Sequence, residues 1–357
     1  MSRYVIDKKL LDENIEIVKQ IAGVPLIGVV KGNGYGFGIR EITKILVEHG
    51  IKTFAVTEVT DLPILREVLT GEDILVMRST CIKDECREIA KYGATATIGS
   101  LQAGQAMSEV ATEMGVTVKC HLKIDTGMGR YGFMPSEIED AIKCYSLPNL
   151  EFTGAYTHFS SAFRNHDLTK AQLEMFKDTM AKIKEKVGNV GILHASNSPA
   201  LLNVEDVCLD TVRIGSAFTG RVITKNKSGL HRLGSLEAEV VDVKTVPKGY
   251  FVGYNATYQT KRETKIAIVP IGHYDGFGLT KEKEIITFRY VLSVFKSFLK
   301  KKQMYVKING RMYHVIGEIG LSHTAVDITG SDVKPSDLAS VDISPLMVNP
   351  RIERIYR

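Results

Sequence analysis

The chain has 357 residues, 44% hydrophobic and 24% charged, the composition of an ordinary soluble globular protein with room for two domains or one large barrel with an appendage. A net charge of +5 is small for that length, and the basic residues are scattered except in "LKKKQ" at 299–303, so neither nucleic acid nor a membrane is expected as a partner. Cys81, Cys86, Cys120, Cys144 and Cys208 form no C-x-x-C pair, which argues against a disulfide framework or a zinc knuckle. With a charged N-terminus and no apolar run approaching ~18 residues, the expected compartment is the cytoplasm.

Short runs rich in β-branched residues alternate with amphipathic stretches through the first two thirds. Strands are expected at "PLIGVV", "TFAVT", "DILVM", "ATIG", "VKCHLKI", "EFTGAYT", "VGILHA" and "CLDTVR". Helical spacing is found in "IREITKILVEHG", "VTDLPILREVLT", "LQAGQAMSEVATEMG" and "DLTKAQLEMFKDTMAKIKEKVG". Eight strands in β/α alternation favour an α/β fold of the closed (β/α)8 TIM-like kind, over residues 1–232. From 233 to 357 strand-like runs are separated by glycine and proline turns, which predicts a mostly β C-terminal domain. One helix is expected inside it, at 286–302, with Phe288, Val291, Leu292, Phe295, Phe298 and Leu299 along one face. Only its end is basic, so packing against protein is the expected role.

Barrel chemistry gathers at the C-terminal ends of the strands. There the sequence places Lys31, then Lys123, Asp125 and Arg130 in "KIDTGMGRYGF", His158 in "THFSS", His194, Asn197 and Ser198 in "HASNS", and Arg213 and Gly215 in "VRIGSA". Singly, each has an ordinary explanation: a strand-end lysine reaching for water, a helix cap, a surface cation. Convergence of five strand ends on one rim makes a site. Ser198 and the amides following Gly215 suit a phosphate. A lysine among cations is expected to lose its proton readily and serve as an amine nucleophile. "GNGYGFG", by contrast, fits no common nucleotide loop.

These stretches carry a resemblance. "KGNGYGFG" keeps Lys31, Asn33, Tyr35, Gly36 and Gly38 of the lysine signature of the alanine racemase family, and "KIDTGMGRYGF" matches a second family signature almost letter for letter. "YTHFSSA", "HASNSPA", "VRIGSAFTG", "VGYNATY" and "VPIGHYDGFG" follow in family order. The chain therefore resembles this family of pyridoxal-phosphate enzymes over nearly its whole length. The resemblance implies pyridoxal 5'-phosphate as cofactor, carried as a Schiff base on Lys31, which is also one of two proton-transfer bases. Tyr35, Asn197, Ser198 and the amides of Gly215 and Ser216 would help hold the cofactor, its phosphate above all. Arg213 would face the pyridine nitrogen with His158 bonded behind it. Lys123 corresponds to a lysine carbamylated in some members, positioning Arg130 against the cofactor's phenolic oxygen and the substrate carboxylate. A homodimer sharing its sites across the interface is implied as well, acting on alanine or another small amino acid.

The sequence departs from the family at several places. The family's second base, a tyrosine, aligns with His273, and Tyr274 follows one residue later; either could serve. Leu321 replaces a methionine near the substrate, and the C-terminal segment has no counterpart of the gate tyrosine. Racemisation is the expected reaction. A lyase or decarboxylase on the same barrel, or a non-catalytic cofactor-binding protein, are the alternatives; Arg213 argues against the decarboxylases, and the β domain against the carriers.

Overall fold

Every expected strand of the first two thirds is present in the computed structural model, which describes residues 2–222, 224, 228–279 and 303–357. Leu26–Val29, Thr53–Val56, Asp73–Ser79, Thr95–Ile98, Val118–Lys123, Leu150–Tyr156, Ile192–His194 and Val212–Ile214 run parallel in chain order, and the eighth pairs with the first. One parallel bridge, His194 to Thr211, joins the seventh strand to the approach of the eighth and closes the (β/α)8 barrel. The strands are buried on both faces, between the lumen and the helical coat, and so read as largely apolar runs. Inside, Ile27, Val29, Ala55, Leu75 and Tyr156 pack together with Tyr35 and Met77 against them.

The helices follow from spacing. Ile39–Glu48 buries Ile39, Ile42, Ile45 and Leu46, an i, i+3, i+6, i+7 stripe. Leu101–Met114 begins where Ser100 Oγ accepts the Ala103 amide at 3.1 Å. The helix expected over "VTDLPILREVLT" is only a 3₁₀ turn, Val59–Asp61, continued by Leu62–Arg66. The Glu72 carboxylate accepts the Thr70 and Gly71 amides at 3.0 and 3.1 Å, a local turn that competes with further helix.

The chain divides into two compact units, Lys9–Leu233 and a second made of Met1–Lys8 with Gly234–Arg357. Residues 1–8 thus differ from the sequence expectation, which assigned them to the barrel. Arg3–Ile6 has strand composition, and it pairs antiparallel with Ser235–Glu239 and parallel with Arg354–Tyr356. Tyr4 and Ile6 are fully buried there, and the Tyr4 hydroxyl donates to the Ile343 carbonyl at 3.2 Å. Among the described residues, the sheet of this unit has nine strands, antiparallel at every pairing except that of the two chain ends. The helix expected at 286–302 lies outside the described residues. Among the described residues, no helix is long and apolar enough to cross a membrane.

Candidate active site at the barrel rim

Lys31 leaves the first barrel strand into a turn of unusual hand. Gly32, Asn33, Gly34 and Tyr35 all have φ between 54° and 62°, so the chain makes one left-handed turn. L-residues resist that conformation by about 1–2 kcal/mol each, which explains glycine at every second position and asparagine between. The Asn33 Oδ1 then accepts the Ile39 amide at 2.9 Å and starts the next helix. This reversal leaves Lys31 at the rim and carries Tyr35 beside the turn after the eighth strand. A Cβ on Gly215 would stand 2.3 Å from the Tyr35 ring, so glycine is required where these two segments meet. Burial, then Arg130 and Arg213, lower the pKa of Lys31.

The loop after the fifth strand is organised by one carboxylate. Asp125 Oδ1 accepts the amides of Gly127, Met128 and Gly129 at 2.7–3.2 Å, and Oδ2 accepts that of Arg130 at 3.0 Å. Burial alone would raise the Asp125 pKa, but the four amides together lower it. The spacing in D-T-G-M-G-R is therefore that of a backbone cage which sets Arg130 at the cavity. Lys123, only 3% exposed, lies 4.5 Å over the Tyr156 ring. Burial, followed by Arg213 and Arg130, holds its amine far below the ordinary lysine range.

Arg213, also 3% exposed, has no carboxylate partner among the described residues. Its guanidinium donates to the carbonyls of Thr157, His194 and Ala195 at 2.7–3.2 Å and to His194 Nδ1 at 2.7 Å. Two histidines therefore contact the guanidinium: His158, the one expected, through Nδ1 at 3.4 Å, and more closely His194. Burial lowers the Arg213 pKa to about 10, which leaves it charged at neutral pH. The same burial, then Arg213, keeps His158 and His194 well below the usual histidine value. Tyr156 stacks on His194 and has the Arg213 guanidinium 4.9 Å from its ring.

Opposite Tyr35, Ser198 Oγ accepts the Gly215 and Ala217 amides at 3.2 Å each. Asn197 Oδ1 accepts the Ala200 amide and so fixes the turn that carries Ser198. Ser216 lines the same cavity, of about 480 Å³. The cavity brings together Lys31, Tyr35, Lys123, Arg130, His158, Asn197, Ser198, Arg213, Gly215 and Ser216, all expected from the sequence. Sequence reading missed Tyr156, Glu58 and Arg78, which also line it. Arg78 is already engaged, by Glu85 at 2.7 Å and Glu58 at 3.6 Å. The remaining cations leave a cavity suited to an anionic ligand.

His273, Tyr274 and Leu321 belong to the β-rich unit. His273–Asp275 is a 3₁₀ turn held by the Asp275 carboxylate on the Gly272 amide at 2.8 Å. The amides of His273 and Tyr274 donate to the carbonyls of Gly320 and Leu321, which brings the three residues together. His273 and Tyr274 are both exposed, as is Leu321.

Residues 6–222 match the family described as alanine racemase, N-terminal domain, and residues 233–344 match its C-terminal domain. The chain belongs to the alanine racemase family. It is 31% identical to an alanine racemase of Methanococcus maripaludis over 347 residues, covering 94% of this chain and 87% of the relative. It is likewise 31% identical to the alanine racemase of Carboxydothermus hydrogenoformans, with 91% and 85% covered. Among solved structures, an alanine racemase of Clostridium difficile superimposes with a TM-score of 0.88 at 25% identity, over 100% of this chain and 95% of the other. The one from Streptomyces lavendulae, at 24% identity and a TM-score of 0.85 over 100% and 97%, shares the fold. Membership of this racemase family makes the protein an isomerase acting on amino acids.

Proposed function

We propose that this protein binds pyridoxal 5'-phosphate at the barrel rim and interconverts the enantiomers of a small amino acid, alanine foremost. The residues fit that cofactor: an amine with a loosened proton, a cradle of hydroxyls and amides for a phosphate, and a charged donor for a ring nitrogen. Lys31 would hold the cofactor; Tyr35, Ser198 and the amides of Gly215 and Ser216 would take its phosphate, with Asn197 fixing the turn. When bound, the cofactor acidifies the α-proton of the amino acid.

Arg213 is the observation that carries the reading. A guanidinium donates a hydrogen bond without giving up its proton, so a nitrogen facing it stays unprotonated. Held so by Arg213, the cofactor would withdraw electrons only modestly, which would favour return of a proton to the α-carbon over other outcomes. Among the described residues, only carbonyls and neutral histidines hydrogen-bond to the guanidinium, which supports this role. Arg130 would hold the substrate carboxylate, and Lys123, whose proton burial loosens, is suited to take up CO2 as a carbamate beside it.

Racemisation needs a base on each face of the α-carbon. Lys31 serves one. The second is assigned to His273 of a partner subunit in a homodimer, with Leu321 near the substrate. His273 Nδ1 lies 2.9 Å from the Phe277 carbonyl, an obligate acceptor, so the neutral ring carries its proton there and keeps Nε2 as the base. Purified protein given the cofactor and L-alanine should form D-alanine, read by chiral chromatography. Failure to invert any small amino acid would sink the reading.

A further inference from the structure

His121 is buried, titratable and without any part in the chemistry above. It lies on the fifth barrel strand, two residues before Lys123 and so on the same face. Its Nδ1 stands 2.9 Å from His194 Nε2, and His194 Nδ1 stands 2.7 Å from an Arg213 nitrogen. The three side chains make a continuous line across the barrel interior, ending at the cavity.

The protons along this line are determined by its last member. Arginine has donors only, so His194 Nδ1 must accept. A neutral His194 then carries its proton on Nε2, and His121 Nδ1 must accept in turn, leaving the His121 proton on its own Nε2. Burial, followed by Arg213, pushes the His121 pKa down to about 4, which keeps the ring neutral and able to accept. Space around the ring is tight: a Cβ on Gly154 would come within 2.8 Å of His121 Nε2. The small residue on the neighbouring strand lets the ring lie where it reaches His194.

We propose that His121 is a positioning residue for the racemase reaction: by accepting from His194 it fixes that ring as an acceptor for Arg213, and so fixes the guanidinium that meets the cofactor. Without the acceptor, His194 could turn or shift its proton to Nδ1, facing the arginine with a donor against a donor. The guanidinium would then lose its shortest side-chain contact. The inference rests on the proposed function only for its kinetic consequence; the proton pattern belongs to the protein alone.

The test uses protein labelled with 15N-histidine and free of cofactor. Long-range proton–nitrogen spectra near pH 7 should show both His121 and His194 protonated on Nε2 and bare on Nδ1. A wild-type spectrum with either proton on Nδ1, or with a doubly protonated His194, overturns the proposal without any variant. In His121→Phe the His194 resonances should change, and kcat of the loaded enzyme should fall about tenfold, the equivalent of one hydrogen bond, with KM nearly unchanged. His121→Gln, whose carbonyl oxygen can accept, should restore both the resonances and most of kcat. An unchanged His194 and an unchanged kcat in folded His121→Phe would contradict it. Absence of racemase activity in the wild type would overturn the proposed function instead, and the spectra would still decide the proton pattern.

Discussion

At the scale of single residues, Lys31 and the pair His273 and Tyr274 carry the decisive expectations. Lys31→Ala should lose the visible absorbance of the lysine-bound cofactor, and borohydride should fix the label on Lys31 in the wild type; a label recovered on Lys123 would refute the assignment. The activity of Lys31→Ala should fall by roughly 10²–10⁴-fold, the range for loss of a positioned proton-transfer group. His273→Phe should stop inversion while Lys31 still exchanges the α-proton of one enantiomer. Should Tyr274→Phe give that pattern instead, the base is one residue along. The rim residues were legible because each follows an apolar run at a strand end. Tyr156 and His121 were less so: buried polar residues inside a strand look like core. Their signal is the alternation in "CHLKID" and "GAYTH", where every second residue faces the lumen. That His194 joins His158 on Arg213, and more closely, at 2.7 Å against 3.4 Å, depends on side-chain geometry that no sequence spacing reveals.

At the scale of elements, the left-handed turn after the first strand is the device that brings Lys31 and Tyr35 into one site. Its glycines were conspicuous in the sequence, but the hand of the turn was not, because glycine permits many turns. Gly34→Ala would combine a φ of +62° with a Cβ 2.5 Å from Ile42 Cγ2. The expected destabilisation is about 2–4 kcal/mol, read from denaturant midpoints of the apoprotein. Gly50→Ala is the control, since φ there is +80° but nothing lies within 4 Å, and about 1 kcal/mol is expected. Equal effects at the two positions would show that crowding in the turn is unimportant. The strand Arg3–Ile6 illustrates the opposite limit. Four residues of strand composition carry no information about which sheet they join, and their partners are 230 or more positions away.

At the scale of the whole molecule, the buried His121 and His194 and the partly buried His158, clustered around Arg213, make the apoprotein sensitive to acid. The folded pKa of His121 is depressed to about 4, below an unfolded value of about 6.5, and His158 and His194 move in the same direction. Stability should therefore be complete above pH ~6.5 and be lost as pH falls toward 4, with about 3 kcal/mol from His121 alone. A flat denaturant midpoint between pH 7 and 4.5 would contradict that. The barrel and the β-rich unit were both foreseeable from the change of texture near residue 232, since β/α alternation and turn-separated strands have different periodicities. The central claim, that two bases on opposite faces invert one α-carbon, is tested most directly in D2O. Wild-type protein with the cofactor and unlabelled L-alanine should yield D-alanine deuterated at the α-carbon from its first appearance, while the remaining L-alanine stays largely protonated. D-alanine that retains the original hydrogen, or exchange into L-alanine with no D-enantiomer formed, would contradict the two-base mechanism.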